Sequence, residues 1–333
     1  TGSPNLMQQM RQWWVVPGLD GGVSELRTVV IPDPGLGQVL VRISAAGVNR
    51  GELIGRVGLC STNPNARATP TGNEFAGTIA ALGEGVSGWT IGASVMGRCQ
   101  ACHAEYTVAD AAALMPTPAH LNDTEAAAIP NVFVTAHDAI VSATATSPND
   151  TVLITAGSSG VGTAAIQIAK HLGCRQVLAT TTTKAKTERL TALGATGVID
   201  TTSGGWPKEL ADRFGSVDVV IDQVGGGLFE GLLQTMAIKG RYVSVGRNDG
   251  AKAIIDLDLV ARQRLKLIGV TFRTRSAAEA LACSSRFAQE LLGAFTPNGL
   301  QPVLDRCFPL ADLPAAHAYM ISNSQIGKIV ITP

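Results

Sequence analysis

Between residues 150 and 274, largely apolar runs alternate with longer segments in which apolar residues recur at helical spacing. The apolar runs are 151–156, 175–181, 196–202, 217–225, 240–246 and 265–271. The segments with helical spacing are 160–173, 184–194 and 227–240. Apolar strands that alternate with amphipathic helices are typical of a parallel sheet covered on both faces. The pattern therefore predicts a doubly wound α/β domain.

The rest of the chain is richer in short strands. Apolar runs bounded by Gly and Pro predict strands over 37–48, 74–86, 93–97 and 104–108, as in a small barrel-like β domain. After residue 275, the pattern predicts a helix over 276–295 and two strands, over 303–310 and 327–333.

Composition narrows the class of protein. The chain has 333 residues, enough for two domains, and its 45% hydrophobic and 16% charged residues are typical of a compact enzyme. Lys plus Arg equals Asp plus Glu at 26 each, which gives no attraction to nucleic acid or to a membrane surface. No apolar run reaches the roughly 20 residues of a membrane span, and residues 1–14 lack the pattern of a secretion signal. We expect a cytoplasmic protein with neither nucleic-acid nor membrane partners.

The six cysteines are widely spaced, which is typical of a reduced chain and not of a disulfide framework. Two of them form the motif Cys99-x-x-Cys102-His103. This is the attachment signature of a c-type haem, in which the thiols bind the vinyl groups and the His binds iron. Such a haem is attached outside the cytosol, and residues 1–14 show no export signal. An ordinary loop between two strands is therefore the favoured interpretation.

A Gly-rich turn, AGSSGVG (156–162), lies between the first strand and the first helix of the α/β domain. Small residues at this place allow a tight turn and a close approach of the backbone to a pyrophosphate, and the helix directs its N-terminal amides at the anion. Because the turn follows a buried strand and opens a helix, it predicts dinucleotide binding.

The next strand end indicates which dinucleotide binds. Folds selective for NAD place an Asp or Glu about 20 residues after the Gly-rich turn, where it accepts from the ribose 2′-hydroxyl. Here the corresponding segment is TTTTKAK (180–186), which has no acid to repel a 2′-phosphate and offers hydroxyls and two lysines to bind one. We therefore expect NADPH.

In the order and spacing of several segments, the chain resembles the zinc-independent quinone oxidoreductases related to zeta-crystallin, a branch of the medium-chain dehydrogenase/reductase superfamily. The segments are AAGVNRGEL (45–53), GNEFAGTIAALGEGV (72–86), AAAIPNVFVTAHDAI (126–140), GSSGVGTAAIQIAK (157–170), VVIDQVGG (219–226) and the tail 302–333. The resemblance implies an α/β protein of two domains. Residues 1–133 and 275–333 would form a GroES-like, β-rich catalytic domain, and residues 134–274 a Rossmann domain that binds NADPH.

The resemblance also bears on metal binding. In the zinc alcohol dehydrogenases of the superfamily, a Cys and a His stand where this chain has Asn49 and Asn73. Asn is a poor ligand for Zn²⁺, and a catalytic zinc site needs three protein ligands. The structural zinc lobe of those enzymes needs four closely spaced cysteines, and this chain has only Cys99 and Cys102 nearby. We therefore expect no metal.

The resemblance assigns roles to individual residues. Asn49 and Thr135 would lie near the nicotinamide. The residues that would cradle the pyrophosphate are Gly157, Ser158, Ser159, Gly160, Val161 and Gly162. Those that would meet the adenosine ribose and 2′-phosphate are Thr182, Thr183 and Lys186, with Asn323 beside them. Those that would line the ribose and nicotinamide trough are Val224, Val245, Gly246, Arg247, Val270, Thr271 and Phe272. For Val245 and Val270, plain sheet core is an equal alternative, and Asp222 would either face the cofactor or cap the next helix.

One departure concerns the proton donor. Many relatives carry a Tyr facing the nicotinamide where this chain has Cys60, and a thiol is smaller and a weaker hydrogen-bond donor than a phenol. The irregular segment 61–71 after it would set substrate selectivity, with Arg67 interpreted as a solvated surface residue. His137 is a second candidate donor, although packing is the commoner role at such a position. His317 is interpreted as structural.

These residues predict a function. Without a metal or a Tyr, the protein would act by orientation, holding the C4 hydride of NADPH at attack distance from a quinone or similar conjugated carbonyl. One alternative is C=C reduction of an enone, 2-alkenal or enoyl thioester, with a proton from water, Cys60 or His137. Another is a non-enzymatic NADPH-binding protein. The strand over 265–271 would be a sheet edge, which we expect a homodimer to pair.

Overall fold

The computed structural model describes residues 8–18, 22–54 and 67–333. It divides into two compact units. The first comprises the described residues up to Asn131 together with Leu291–Pro297 and Gln301–Pro333, and the second comprises Val132–Glu290 and Asn298–Leu300.

The described residues form sixteen strands and ten α-helices. The strands are β1 (Gln9–Val16), β2 (Val23–Val30), β3 (Gln38–Val48), β4 (Thr69–Pro70), β5 (Phe75–Leu82), β6 (Ser94–Gly97), β7 (Tyr106–Asp110), β8 (Leu114–Pro116), β9 (Thr151–Ile154), β10 (Gln176–Thr181), β11 (Gly197–Asp200), β12 (Val217–Asp222), β13 (Met236–Ser244), β14 (Lys266–Gly269), β15 (Leu304–Pro309) and β16 (Lys328–Thr332). The helices are α1 (Arg50–Ile54), α2 (Asp123–Ala126), α3 (Pro130–His137), α4 (Gly160–His171), α5 (Thr187–Leu193), α6 (Trp206–Phe214), α7 (Phe229–Gln234), α8 (Leu257–Gln263), α9 (Ala277–Leu291) and α10 (Leu313–Ile321).

The second unit is built on a six-stranded parallel sheet of order β11-β10-β9-β12-β13-β14. Its central strand β9 is buried along its whole length, as its continuous apolar sequence predicts. The strand order reverses between β9 and β12, and in such sheets ligands bind outside the carboxyl ends of the strands at this switch point. The predicted doubly wound α/β domain is confirmed.

The first unit is built on a seven-stranded sheet around β3, which pairs with β5, β7 and β16. The C-terminal strand β16 pairs antiparallel with β3 and sets Ile329 opposite Val48. A smaller three-stranded sheet of β2, β1 and β4 belongs to the same unit, and no strand was predicted from the sequence of β1 or β2. The predicted β-rich GroES-like domain is confirmed.

Two boundaries differ from the expectation. The predicted helix over 227–240 ends at Gln234, and Met236–Lys239 extend β13 because Met236 pairs with Val217. The helix α9, assigned by resemblance to the catalytic domain from residue 275, lies in the second unit up to Glu290. There Phe287 packs against Phe133, with ring centroids 6.5 Å apart.

One helical stretch, Asp123–Ala143, is long and apolar enough to cross a membrane by length and composition. Of its apolar window, 72% is buried inside the protein, as in the core helices of globular proteins.

Candidate functional site

The Gly-rich turn joins the carboxyl end of β9 to α4. Ala156 has a φ of +47°, and the Gly157 N–H donates to the Thr180 carbonyl at 2.9 Å. The Ser159 hydroxyl caps α4 by accepting from the Gly162 N–H at 2.9 Å. The turn therefore places the amides of the first helical turn at the carboxyl edge of the sheet, beside the switch point.

Close backbone approach requires glycine in this turn. A Cβ added to Gly162 would lie 2.3 Å from the Ala156 oxygen, and one added to Gly157 would lie 2.9 Å from the Ala179 Cβ. Because Gly157 and Gly162 have no side chains, they do not cover the N-terminus of α4. The positive end of the helix dipole is therefore available to an anion there. The turn fits a pyrophosphate on this ground.

The hydroxyl of Ser159 also holds the turn to the neighbouring strand end. It donates to Gln223 Oε1 at 2.8 Å, and Gln223 Nε2 donates to the Thr155 carbonyl at 2.8 Å. The Ser159 hydroxyl has both a donor and an acceptor within the protein, and its contact with the pyrophosphate stays a prediction.

Asp222 is fully buried at the end of β12 and caps the loop that follows. Its carboxylate accepts from the Val224 and Gly225 N–H groups at 2.9 and 3.0 Å, and from the Thr155 hydroxyl at 2.7 Å. The Tyr242 hydroxyl donates to it at 2.5 Å, and burial together with this carboxylate raises the Tyr242 pKa. The alternative that Asp222 caps the next helix is wrong, because neither the short turn Gly226–Leu228 nor α7 has a side-chain cap. Its facing the cofactor stays a prediction.

The segment after β10 supplies the candidate 2′-phosphate contacts. Thr182 and Thr183 are exposed, and the Thr183 N–H donates to the Thr181 hydroxyl at 3.0 Å. Lys186 is buried, and its ammonium lies 3.4 Å from the Ser158 hydroxyl. A buried ammonium beside the Gly-rich turn fits a dianionic phosphate.

An acid stands at the end of the adjacent strand β11. The Asp200 carboxylate accepts from the Thr202 N–H and hydroxyl at 2.9 and 2.7 Å. These hydrogen bonds, helped by the Lys184 charge, lower the Asp200 pKa. The negative charge of Asp200 is therefore stabilised by hydrogen bonds within its own turn.

The residues predicted to line the trough lie at three neighbouring strand ends of the same sheet. The Val245 and Gly246 N–H groups donate to the Asp222 carbonyl at 2.7 and 3.1 Å, and the Val270 N–H donates to the Ser244 carbonyl at 3.1 Å. Val245 is half-buried and Val270 is buried. The remaining predicted residues are Val224, Thr271 and Phe272, which are half-buried, and Arg247, which is exposed. The sheet brings this set together at its carboxyl edge.

Two candidate catalytic residues lie on α3 in the second unit. Thr135 is half-buried, whereas His137 is buried. His137 Nε2 lies 2.7 Å from Glu290 Oε2, and its ring packs edge-on against Phe287. The structure therefore supports the packing interpretation of His137.

In the first unit, Asn49 belongs to a buried charged group that we call the Lys328 cluster, made of Asn49, Glu74, Asn131 and Lys328. The Lys328 ammonium donates to Glu74 Oε1 at 2.6 Å and to Asn49 Oδ1 at 2.7 Å. Glu74 also accepts from Asn49 Nδ2 at 2.8 Å and from the Asn131 N–H at 2.7 Å. Glu74 is 0% and Lys328 4% exposed, so this ion pair is shielded from water.

The Lys328 cluster commits both ends of the Asn49 side chain. Its Oδ1 accepts from Lys328 and from Asn131 Nδ2, while its Nδ2 donates to Glu74. Asn49 and Thr135 lie in different units, so their predicted meeting at one nicotinamide stays a prediction. Asn323 also lies in the first unit, where its Oδ1 accepts from the Arg50 guanidinium at 2.6 Å.

Beside the Lys328 cluster, a buried carboxylate stands between two imidazoles. Glu52 Oε2 lies 3.1 Å from His317 Nε2, and Glu52 Oε1 lies 3.7 Å from His103 Nε2. Burial opposes ionisation of Glu52, but attraction to His103, His317 and Lys328 outweighs it and lowers the Glu52 pKa. Burial lowers the pKa of His103, which Glu52 only partly offsets.

The structure answers the question that the Cys-x-x-Cys-His motif raises. His103 is fully buried, its Nδ1 lies 3.1 Å from the Thr71 hydroxyl, and its Nε2 lies 3.1 Å from the Gly47 carbonyl. Both ring nitrogens are therefore engaged in the fold. The sulfur atoms of Cys99 and Cys102 are joined as a disulfide, which differs from the expected reduced pair. Within the described ranges, no three His, Cys, Asp or Glu side chains are grouped to hold a metal ion.

Cys60 and most of the segment 61–71 lie outside the described residues, whereas Arg67 is exposed, as expected. The residues that no sequence interpretation singled out are Glu52, Glu74, Asn131 and Lys328. A charged residue within the apolar run of β16 was the available signal for Lys328.

Sequence comparisons match this architecture. Residues 35–119 match the family model for the alcohol dehydrogenase GroES-like domain, and residues 160–286 match that for zinc-binding dehydrogenases. The spectinabilin polyketide synthase system protein NorB of Streptomyces orinoci is 32% identical over 332 residues, which is 96% of this chain. This chain spans only 14% of the length of that protein.

Solved structures align over almost the whole chain. A mycobacterial protein in complex with NADPH and a mycobacterial quinone oxidoreductase are each 26% identical, with TM-scores of 0.86 and 0.80 over 97% of this chain and 100% of theirs. An NAD-dependent alcohol dehydrogenase is 30% identical, with a TM-score of 0.83 over 97% of this chain and 99% of its own. The CurK enoyl reductase is 25% identical, with a TM-score of 0.83 over 98% and 99%.

Proposed function

Because the chain belongs to the medium-chain dehydrogenase/reductase superfamily, in the branch that includes quinone oxidoreductases, we propose that it transfers hydride from NADPH to a quinone or similar conjugated carbonyl. The observation that carries the proposal is the Gly-rich turn at the sheet's switch point, with the buried Lys186 ammonium beside it. The NADPH complex of a mycobacterial relative supports the choice of cofactor.

The residues of the second unit would hold NADPH as follows. The turn 157–162 would bind the pyrophosphate, and Lys186 with Thr182 and Thr183 would bind the 2′-phosphate. The strand ends at Val224, Val245 and Val270 would line the nicotinamide side. Bound NADPH would supply a hydride from C4 of its nicotinamide.

The engagement of His137, one of the candidate proton donors, favours a quinone as the substrate. His137 Nε2 lies 2.7 Å from Glu290 Oε2 and the ring packs against Phe287, which supports a packing role and not proton transfer to a substrate. The anion formed when a quinone accepts hydride is already delocalised and takes its proton from water. Asn49 and Asn73 stand where the superfamily's zinc enzymes carry ligands, and we propose a reaction without a metal ion.

Reduction of a C=C bond is the second candidate. The likeness to the CurK enoyl reductase and to a polyketide synthase protein favours an enone, a 2-alkenal or an enoyl thioester. Such a reaction adds hydride at the β-carbon and a proton at the α-carbon, and Cys60 is then the residue to test as the donor.

The experiment compares these substrates directly. Purified protein is given NADPH with an ortho-quinone, a 2-alkenal or an enoyl thioester, NADPH oxidation is followed, and the products are identified. Hydroquinone formation supports the first candidate, and a saturated thioester or aldehyde replaces it with the second. NADPH binding without turnover of any of the three contradicts both.

Cofactor preference gives a prediction of its own. Lys186→Ala removes the buried ammonium, and a lost hydrogen bond to a charged group costs about 1.5–3 kcal/mol. We expect KM for NADPH to rise roughly 10- to 100-fold with little change for NADH. Lys208→Ala, at an exposed lysine of α6, is the matched control. An equal loss for both cofactors would mean that Lys186 supports the fold and not the 2′-phosphate.

A further inference from the structure

The loop over 98–105, which we call the Cys loop, has no role in the proposed hydride transfer. Cys99 and Cys102 are joined across it, and their Cα atoms lie 6.6 Å apart, within the range found for disulfides. Ala101, between them, has a φ of +68°, a left-handed conformation that is uncommon for a residue with a Cβ. We infer that Cys99 and Cys102 form a reversible thiol–disulfide site that reacts with low-molecular-weight thiols and disulfides.

The surroundings of the two sulfur atoms differ. Cys102 is fully buried, and its sulfur lies 3.1 Å from the Cys99 carbonyl oxygen. Cys99 is half-buried, and its sulfur lies 3.4 Å from the Thr107 hydroxyl. An incoming thiolate therefore reaches Cys99 first and displaces Cys102. Once protonated, the Cys102 thiol donates a hydrogen bond to the Cys99 carbonyl.

The exchange balances without NADPH. A small dithiol reduces the bond in two steps: its first thiolate forms a mixed disulfide with Cys99 and releases Cys102, and its second thiolate displaces Cys99. Two electrons and two protons pass from the dithiol to the two cysteines, and the dithiol becomes a cyclic disulfide. In the reverse direction, oxidised glutathione accepts two electrons and leaves as two glutathione thiols.

Metal binding is a weaker account of the motif. The third group of the motif, His103, has both ring nitrogens within hydrogen-bond distance of Thr71 and Gly47. A metal held by this loop would have two sulfur ligands and no imidazole, short of the four ligands of a structural zinc site.

The Cys loop lies against the backbone that leads to Glu74. The Cys102 N–H donates to the Gly72 carbonyl at 3.4 Å, and the His103 N–H donates to the Thr71 carbonyl at 2.9 Å. A Cβ on Gly72 would lie only 2.3 Å from the His103 nitrogen, so the two strands of backbone are in direct contact. Reduction removes a covalent restraint on one side of this contact. We expect faster amide exchange at Cys102 and His103 in the reduced protein.

To test the inference, the folded full chain is equilibrated in buffers with graded ratios of reduced to oxidised glutathione. Exchange is then quenched with acid, and free thiols are alkylated. Cleavage after Arg98 and Glu105 releases the peptide 99–105, which contains only these two cysteines. Mass spectrometry then counts disulfide, dithiol and glutathione adducts. We expect one two-electron transition between disulfide and dithiol, with little mixed adduct. A pair that stays dithiol throughout, or two cysteines modified independently, would overturn the inference.

Two single variants test the asymmetry. Cys102→Ser leaves the half-buried Cys99, which we expect to accumulate a glutathione adduct at least about tenfold more than the fully buried Cys102 does in Cys99→Ser. Equal modification in both folded variants would contradict the assignment, and unfolded protein, in which both should react alike, is the control. Cys174 serves as an internal reference, because burial and the nearby Asp150 raise its pKa to about 11. None of these measurements depends on turnover, so they stand apart from the test of the proposed function.

Discussion

At the residue scale, the Lys328 cluster places the opposite charges of Glu74 and Lys328 at buried positions. Removing one partner of a buried ion pair leaves the other charge without compensation, which costs about 3–5 kcal/mol. We expect Lys328→Met to lower the free energy of unfolding by this amount in urea titrations. Lys208→Met, in which the side chain is 81% exposed, should change it by less than about 0.5 kcal/mol.

A double variant tests whether the loss in Lys328→Met comes from the unpaired Glu74 carboxylate. If the loss arises from the unpaired carboxylate, Glu74→Gln combined with Lys328→Met should recover part of it. A double variant as unstable as the sum of the single variants would assign the loss to packing of the lysine stem.

His103 gives a second residue-scale prediction, on pH. Because burial lowers its folded pKa, the unfolded chain takes up a proton below about pH 6.5 that the native protein does not. Stability should therefore fall as pH drops below 6.5, by up to about 1.4 kcal/mol per pH unit from this group. The lowered pKa of Glu52 adds a loss only in more acid solution, below its unfolded pKa.

Unfolding measured between pH 7.5 and 5.5 checks the His103 prediction. His103→Gln should show a flatter slope than the native sequence, whatever its absolute stability. His120→Gln, at an exposed position, is the control and should keep the native slope. An unchanged slope in His103→Gln would assign the acid sensitivity to other groups.

At the element scale, the junction of β9 and α4 depends on one close approach. Gly162→Ala would place a Cβ 2.3 Å from the Ala156 oxygen, a backbone atom that cannot turn aside. Such overpacking typically costs about 1–3 kcal/mol, and the turn must shift to relieve it. We expect weaker NADPH binding by calorimetry and a lower unfolding temperature. Gly204→Ala, where an added Cβ meets nothing within 4 Å, should change neither.

The sequence predicted elements whose pattern is local. The alternation of apolar strands with amphipathic helices gave the parallel sheet, and the Gly-rich turn lies where its context demanded. The end of α7 was missed because the pairing of Met236 with Val217 overrides the helical spacing of 227–240. The Lys328 cluster could not be predicted, since its members come from four segments that only the tertiary fold brings together.

At the scale of the whole molecule, the strand β14 ends the parallel sheet. Within the described residues it pairs only with β13, and Leu267 on it is 42% exposed. A sheet edge of this kind invites pairing with a second copy. We expect a homodimer by sedimentation and dissociation to a monomer in Leu267→Lys. A monomeric native protein would mean that the edge stays open to solvent.

The placement of Lys328 has a consequence for synthesis on the ribosome. Its ammonium donates to the carbonyl of Val48, 280 positions earlier in the chain, and β16 is needed to deliver it. The second unit is almost continuous in sequence, so it has most of its contacts as soon as residue 290 emerges. Of the two units, the first begins earlier in the sequence and is completed later. Some 250 residues are translated between Glu74 and its ion-pair partner Lys328. After residue 290 has emerged and until Lys328 follows, the nascent chain carries a nearly complete second unit and an incomplete first unit, and the first unit is where a chaperone would have to act.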